Sequence, residues 1–357
     1  MSKLLRVYCK MRGYPLRGLP SGRLPSRPPE SGAISVILKW PLGACAALAV
    51  SLAVLSGQAL AQAYPNRPVR IVVAFQAGQG TDVATRHIAN QLSIATGQNF
   101  IVDNRPGASG NLGTAIAAKA APDGYTLVMG TAGTHAMNPA LFDSPGFDAE
   151  KDFDAIALTC LIPMVISAHP SLGVNNLSEL IAAAKQRPDK IDTALPSTTS
   201  RLVIELMKQK DIKLFNVVYK GSATAAADVL GGQVPLLIDT VGATRPHLGK
   251  LKPIAITSAR ESALLPGVRS VAEQGLPGFE VVAWNALLAP HGTPPEIRER
   301  LADELKKILA QPETIKRLRD LGFDPAPPMK PQEVTSWISA ERQKFGNLIK
   351  STGMKPD

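Results

Sequence analysis

Polar residues follow three predicted strands of this 357-residue chain. The β-branched run at 69–75 predicts a buried strand, and Gly78-Gln79-Gly80-Thr81-Asp82 comes directly after it. The run at 125–130 predicts another strand, which leads into Thr131-Ala132-Gly133-Thr134-His135, and a third predicted strand ends at Asp239. Because loops beyond the carboxyl ends of parallel strands form the ligand crevice of an α/β sheet, we expect these residues to share one site.

The glycine turn before Asp82 indicates anion binding. Exposed backbone N–H groups and the helix dipole attract a carboxylate or phosphate to the start of a helix. A dinucleotide-binding fingerprint would need glycine or alanine three residues after Gly80, where the chain has Val83. The alternative is a purely structural turn, in which Thr81 and Asp82 cap the helix that follows.

The other polar candidates do not complete a catalytic or metal site. His135 has no second metal ligand near it in sequence and fits a structural, hydrogen-bonded histidine. Ser197 and Thr198 lack a G-x-S-x-G elbow, and fit either hydrogen-bond donors to a ligand or a cap for the helix at Leu202. Asp239 fits equally an acceptor for a ligand amine and a cap for the next helix. We therefore predict no enzymatic activity, no metal and no cofactor.

The elements that position these residues alternate between strand and helix. This alternation predicts a mostly parallel α/β sheet, with charged amphipathic helices packed outside it after Pro294. Apolar runs at about 155–168 and 281–289 are expected to cross between two lobes. Lobe 1 would contain residues 64–160 and 284–357, and lobe 2 residues 161–283. Two lobes with a hinge form a cleft that can close on a small ligand.

The N-terminal segment has the three parts of a secretory signal. Basic residues precede an uncharged apolar run at 41–60, and small residues end it at Ala61 and Ala63. The most apolar part is about a dozen residues long, shorter than the roughly 20 that span a bilayer. We predict a cleaved signal peptide over residues 1–63, cut after Ala61 or Ala63. A membrane anchor is the main alternative, and a lipoprotein at Cys45 fits poorly because the apolar run follows that cysteine.

Removing the signal changes the charge and the cysteine count. The chain has 39 basic and 29 acidic residues, of which eight and one lie in the first 63. The rest carries 31 basic and 28 acidic residues, a net charge of +3 instead of +10. No basic stripe with interleaved aromatic residues remains, so we expect no nucleic-acid binding. Only Cys160 is left, in an apolar run that predicts a buried, inert thiol.

A series of ordered motifs covers nearly all of the chain beyond residue 63. In chain order these are YPNRPVR at 64–70, GTD at 80–82, VDNRPGASGN at 102–111, APDGYTL at 121–127, GTHAMNP at 133–139, KDF at 151–153, YKGS at 219–222, LGGQV at 230–234, GLPGF at 275–279 and LAP at 288–290. By these motifs the chain resembles the Bug-type, or TctC-like, extracytoplasmic solute receptors of the tripartite tricarboxylate transporter system.

The resemblance implies a type II periplasmic-binding-protein fold: two α/β lobes joined by crossing strands, with a ligand cleft between them. It implies a periplasmic monomer that captures a small organic carboxylate and delivers it to membrane transporter subunits. A ligand sensor that docks on a membrane signalling protein is the alternative. Carried over by position, the implied ligand-binding residues are Phe75, Ala77, Gly78, Asp82, Thr131, Thr134, His135, Ser197, Thr198 and Asp239.

Two loops depart from the family pattern. The usual Pro-Phe-Pro-Pro-Gly-Gly is here Ala-Phe-Gln-Ala-Gly-Gln at 74–79, which loosens the turn and places amides of Gln76 or Gln79 near the cleft. The usual Ser-x-Gly-x-Gly-Thr-Ser loop is shortened to 195–200, without the glycines that permit close backbone approach. Both departures concern the predicted ligand site, so they are expected to affect specificity.

Overall fold

The computed structural model describes residues 64–356, so the predicted signal peptide lies outside the described residues. The strands are β1 (Val69–Val73), β2 (Phe100–Asn104), β3 (Thr126–Thr131), β4 (Phe153–Ala168), β5 (Asp192–Leu195), β6 (Phe215–Val218), β7 (Leu236–Thr240), β8 (Lys252–Ile256), β9 (Val282–Pro290) and β10 (Asp324–Pro325). The helices are α1 (Gly80–Thr96), α2 (Asn111–Ala118), α3 (Asn138–Leu141), α4 (Leu177–Gln186), α5 (Thr198–Gln209), α6 (Ser222–Leu230), α7 (Val241–Thr244), α8 (Pro295–Ala310), α9 (Pro312–Asp320) and α10 (Pro331–Thr352).

One portion of the sheet is built around β1, β3 and β9. β1 pairs in parallel with β2 and β3, and β9 lies antiparallel between β3 and β4. Apolar residues fill both faces of these strands, which is typical of a sheet covered by helices on both sides. One face packs against α1 and α8 through Ile88 and Leu305, and the other against α10 through Phe345.

The other portion of the sheet continues from the second half of β4. Residues 164–168 of β4 pair antiparallel with β7 and β8, and β5 lies in parallel between β7 and β6. The long strand β4 therefore belongs to both portions, and its register with β9 shifts at two places, between Ala155 and Ala157 and between Leu158 and Cys160. Such irregularities bend a strand and increase its twist.

The sheet is mixed, and the prediction of a mostly parallel sheet was wrong. The strands that the sequence marked as crossing between lobes, β4 and β9, run antiparallel to each other and to most of their neighbours. Their hydrophobic content is the same as that of a parallel strand, so composition could not reveal their direction. The boundaries of the two lobes remain a prediction.

No helix within residues 64–356 is both long enough and apolar enough to cross a membrane. Cys160 is buried and unbonded to another cysteine, as predicted. Burial raises the pKa of its thiol to about 12, which keeps the sulfur protonated and unreactive at neutral pH.

Candidate functional site

Asp82 holds the loop between β1 and α1 in place. Its carboxylate accepts hydrogen bonds from the Gly78 N–H at 2.8 Å, from Arg86 Nε at 2.9 Å and from Asn104 Nδ2 at 2.9 Å. Burial raises the pKa of this carboxyl, but the three hydrogen bonds outweigh that effect and the pKa lies below its usual value. Asp82 thus has a structural role that the sequence did not distinguish from ligand contact.

The start of α1 is left without a side-chain cap. The helix begins at Gly80 after Gln79, whose side chain makes no capping hydrogen bond. Thr81 and Asp82 lie inside the first turn, so the expectation that they cap the helix was wrong: the Asp82 carboxylate reaches back to Gly78 instead. The backbone N–H groups at a helix start need an acceptor from elsewhere, such as an anionic ligand.

Phe75, at the end of β1, lies beside the loops that follow β2 and β3. Gly110, with φ of 89°, packs against the Phe75 ring and the Thr134 methyl so closely that a Cβ there would clash with Thr134. The Asn104 side chain also donates to the Phe75 carbonyl at 3.1 Å. The loops that follow β1, β2 and β3 therefore meet at one edge of the sheet, and Ala77 and Gly78 are exposed on the first of them.

Thr131 and Thr134 close the end of β3 by a reciprocal pair of hydrogen bonds. The Thr131 N–H donates to Thr134 Oγ1 at 3.1 Å, and the Thr134 N–H donates to Thr131 Oγ1 at 3.2 Å. Thr134 Oγ1 also lies 2.8 Å from His135 Nδ1. Both threonine hydroxyls are thus engaged with their own loop and hold its shape.

The side chain of His135 lies in the core, away from the glycine turn that precedes Asp82. Its ring is buried against Phe147 and Phe153, with centroid distances of 6.0 and 4.9 Å. Burial, with a smaller contribution from the positive charge of Arg342, lowers the pKa of His135 to about 3. The imidazole is therefore neutral at physiological pH.

Asn285 is a candidate site residue that the sequence analysis missed. It lies on β9 directly opposite Thr131, so the two side chains share one face of the sheet. The Asn285 side chain is buried, and neither its oxygen nor its nitrogen has a hydrogen-bond partner within residues 64–356. The neighbouring thiol of Cys160 is a weak partner. The available signal was a single amide inside the apolar run at 281–289.

Ser197 is the N-cap of α5. Its hydroxyl accepts from the Ser200 N–H at 3.1 Å, and the Ser197 N–H donates to Ser200 Oγ at 3.0 Å. This reciprocal pair is a capping box, one of the two roles that the sequence left open. Thr198 is the first residue of the helix and is half-buried.

Asp239 ends β7, and its carboxyl is buried. Oδ1 accepts a hydrogen bond from the Thr240 N–H at 2.7 Å. Oδ2 makes no well-formed hydrogen bond within the described residues. The Ser222 hydroxyl lies close enough to this carboxyl to lower the pKa of Asp239, against the effect of burial. Burial dominates and raises the pKa to about 6. The expectation that Asp239 caps the next helix was wrong, because the Thr240 side chain caps α7.

The segment after α9 connects the two portions of the sheet. The Phe323 ring packs against Gly80 at the start of α1, and Leu321 and Gly322 lie against Gly242 in α7, where a Cβ would clash with backbone. α7 directly follows Asp239 and Thr240, and Ser222 beside Asp239 starts α6, which also has no side-chain cap. The start of α1 in one portion and α7 in the other are thus linked through this segment.

The same residues offer no metal site: within residues 64–356 no group of three or more histidine, cysteine or acidic side chains could hold an ion. Hydroxyls, amides and helix starts dominate instead. Such groups suit the recognition of a small anion by hydrogen bonds without a permanent counter-charge.

Residues 84–354 match the family described as "Tripartite tricarboxylate transporter family receptor". The chain belongs to this family. The protein BugT of Bordetella pertussis is 32% identical over 312 residues, covering 86% of this chain and 95% of BugT.

Two solved structures are similar to this chain over most of its length. Rpa4515 of R. palustris with adipate is 35% identical, with a TM-score of 0.75 over 82% of this chain and 100% of that chain. MatC from Rhodopseudomonas palustris with bound malate is 31% identical, with a TM-score of 0.69 over 80% of this chain and 100% of that chain. The predicted family and fold class are thereby confirmed: this receptor has the fold of the family's binding proteins.

Proposed function

We propose that this receptor captures a small organic carboxylate outside the cytoplasm and passes it to a membrane transporter without chemical change. The ligand lies between the two portions of the sheet, with one carboxylate at the start of α1. The predicted ligand class covers dicarboxylates and tricarboxylates, amino acids and aromatic acids. The receptor family and the adipate and malate bound to its relatives support this class.

The observation that carries the proposal is that the uncapped start of α1 and the Thr131–Asn285 pair belong to the same face of the sheet. Thr131 and Asn285 lie on the sheet face that packs against α1, since Leu287 and Ala289 on the same side of β9 join the core cluster of Ile88 and Leu92. A carboxylate there would accept from backbone N–H groups and from the Asn285 amide. It would thereby satisfy donors that have no partner within residues 64–356.

Thermal unfolding with a panel of carboxylates tests the ligand class. The panel contains adipate, malate, citrate and aspartate, added to protein purified after export. A ligand at 100 times its dissociation constant stabilises the folded state by about 2.7 kcal/mol, so one panel member should raise Tm by several degrees. If no carboxylate raises Tm, and mass spectrometry of the purified protein finds only a neutral bound compound, the proposal is wrong.

The periplasmic location and the transporter partner are part of the same proposal. The signal-like segment at 1–63 and the receptor family support export. Affinity purification from detergent-solubilised membranes, with the carboxylate present, should recover a multi-spanning transporter subunit. Recovery of a histidine kinase or another signalling protein instead would favour the sensor function.

A further inference from the structure

A cavity of about 470 Å³ lies under α10, on the face of the sheet opposite to Asn285. Leu288 of β9 lines it, and residues three apart on a strand point to opposite faces, so Asn285 and this cavity are on different sides of the sheet. Its volume falls within the range of small-molecule sites. The cavity is therefore separate from the proposed carboxylate cleft.

Apolar and polar residues divide the wall of this cavity. Phe153, Leu288 and Ile338 supply apolar surface, while His135, Glu150 and Arg342 supply the groups that can hydrogen-bond or carry charge. Hydroxyls of α10 complete the wall, but those of Thr335 and Ser336 already donate to carbonyls of their own helix. The polar groups left for a ligand include those of Arg342 and His135, with Ser339 and Gln343 of α10 beside them.

The hydrogen bonds around Thr134 determine which nitrogen of His135 carries the proton. Thr134 Oγ1 accepts from the Thr131 N–H, and its own proton has three possible acceptors: His135 Nδ1 at 2.8 Å, Thr131 Oγ1 at 3.2 Å and the Thr131 carbonyl at 3.4 Å. The shortest distance favours donation to Nδ1. The neutral imidazole then keeps its proton on Nε2, which has no partner within the described residues.

Arg342 is the second donor that lines the cavity. Its side chain is only 17% exposed, and its ion pair is with Glu150 Oε2 at 3.6 Å, a carboxylate that is 67% exposed. A charge-assisted hydrogen bond would be about 2.7–2.9 Å long, so this pair is loose. Arg342 and His135 line the same cavity, and the positive charge of Arg342 contributes to the lowered pKa of His135.

We propose that this cavity is a second binding site, for a small monocarboxylate with a compact apolar body. The carboxylate accepts from the Arg342 guanidinium and from His135 Nε2–H, and it displaces the loosely held Glu150. The apolar body lies against Phe153, Leu288 and Ile338. This site is independent of the proposed transport cleft, so it stands if the cleft's ligand proves to be of another class.

Calorimetric titration of the exported protein with benzoate tests the second site. Arg342→Gln should weaken benzoate binding at least tenfold, because it removes the charge-assisted hydrogen bonds. Glu150→Gln should strengthen benzoate binding severalfold, because it removes the competing carboxylate. Asn285→Leu, which alters the cleft, should leave benzoate binding unchanged, and neither cavity substitution should change the affinity for the carboxylate identified by the panel.

Three results would overturn the proposal. They are an absence of benzoate binding at millimolar concentration, benzoate affinities that do not move in opposite directions in the Arg342 and Glu150 variants, and loss of benzoate binding in Asn285→Leu. If Arg342→Gln fails to fold, nitrogen-15 chemical shifts of His135 in the wild-type protein replace it. These should show a proton on Nε2 and should change with benzoate; a proton on Nδ1 or unchanged shifts would contradict the site.

Discussion

Asn285 places an amide where every neighbour along β9 is apolar. A buried polar group without a partner costs about 1–3 kcal/mol of folding stability, so its presence needs a compensating role. Its position opposite Thr131, on the face that packs against α1, puts it at the floor of the proposed cleft. Ligand binding would supply the missing partner, which explains why a polar side chain lies there.

Asn285→Leu should therefore separate stability from binding. The free energy of unfolding should stay the same or rise by about 1 kcal/mol, because an unpaired amide is replaced by an apolar side chain. Affinity for the carboxylate found with the panel should fall about tenfold or more. Denaturant unfolding and calorimetric titration measure the two quantities, with Asn90→Ala on the exposed face of α1 as a control that leaves the affinity unchanged. A loss of stability with unchanged affinity would make Asn285 purely structural.

The raised pKa of Asp239 makes the folded protein less stable as the pH rises. Burial raises the pKa of this carboxyl from 3.8 to about 6, so the folded protein holds a proton that the unfolded chain releases. The stability that the group contributes is fully present below about pH 3.8 and is lost as the pH rises through about 6. The stabilising state is thus the neutral one.

Asp239→Asn should raise the free energy of unfolding near pH 7.5 by on the order of 2–3 kcal/mol, since the amide stays neutral at every pH. The gain should disappear near pH 4, where the wild-type carboxyl is also neutral. Urea unfolding at both pH values measures this difference, with Asp303→Asn on the exposed face of α8 as the matched control. An equal gain at both pH values, or none at either, would contradict the raised pKa.

Individual site residues were only partly predictable from the sequence. The glycine turn, Thr131 and Thr134 were predicted because each follows a strand directly, and position along a strand fixes the edge of the sheet. Asn285 was missed because its environment depends on a partner strand more than 150 residues away in sequence, Thr131 in β3. The roles of Ser197 and Asp239 depended on single hydrogen bonds, which spacing alone does not determine.

The turn after β2 has an unusual backbone. Residues 107–110 all have positive φ, including Ala108 at 48° and Ser109 at 54°. A left-handed conformation costs an L-residue roughly 1–2 kcal/mol, and such strain persists where the surrounding structure imposes it. The Ser109 carbonyl is held by Asn138 Nδ2 at 3.0 Å, and Gly110 is wedged between Phe75 and Thr134. The turn thus fixes the loop that supports the cleft.

Ser109→Gly should raise the free energy of unfolding by about 0.5–1 kcal/mol. Glycine adopts positive φ without steric cost, although it loses more backbone entropy on folding. Ser178→Gly, in the first turn of α4, is a control with the opposite expected effect. It places glycine in a helix and should lower the free energy of unfolding by a similar amount. Thermal unfolding monitored by circular dichroism compares the variants. Destabilisation by Ser109→Gly would mean that the serine side chain, not the backbone, governs this turn.

At the level of elements, periodicity was informative for helices and less so for strands. The charged amphipathic helices predicted after Pro294 are present as α8, α9 and α10. Strand β5 has a weak sequence signal, because Asp192 and Thr193 begin it and only two apolar residues follow. The sequence also did not predict that β4 and β9 run antiparallel to their neighbours. Both strands are buried on both faces, and such a strand has the same composition whether it is parallel or antiparallel.

At the level of the whole molecule, one sheet carries the loops of both its portions that form the proposed site. Strand β4 runs through both portions, and the segment 321–323 touches the start of α1 and α7. We propose that motion about β4 and β9 changes the distance between the two uncapped helix starts. That arrangement suits a receptor that closes on a ligand and releases it unchanged.

Hydrogen–deuterium exchange tests the central claim most directly, because the claim concerns backbone amides. It is measured on the exported protein with and without the carboxylate that gives the largest rise in Tm. We predict slower exchange at the start of α1 (residues 78–83), around Thr131–Thr134 and at the start of α6. Ligand-dependent stabilisation with unchanged exchange in all three segments would contradict binding in this cleft.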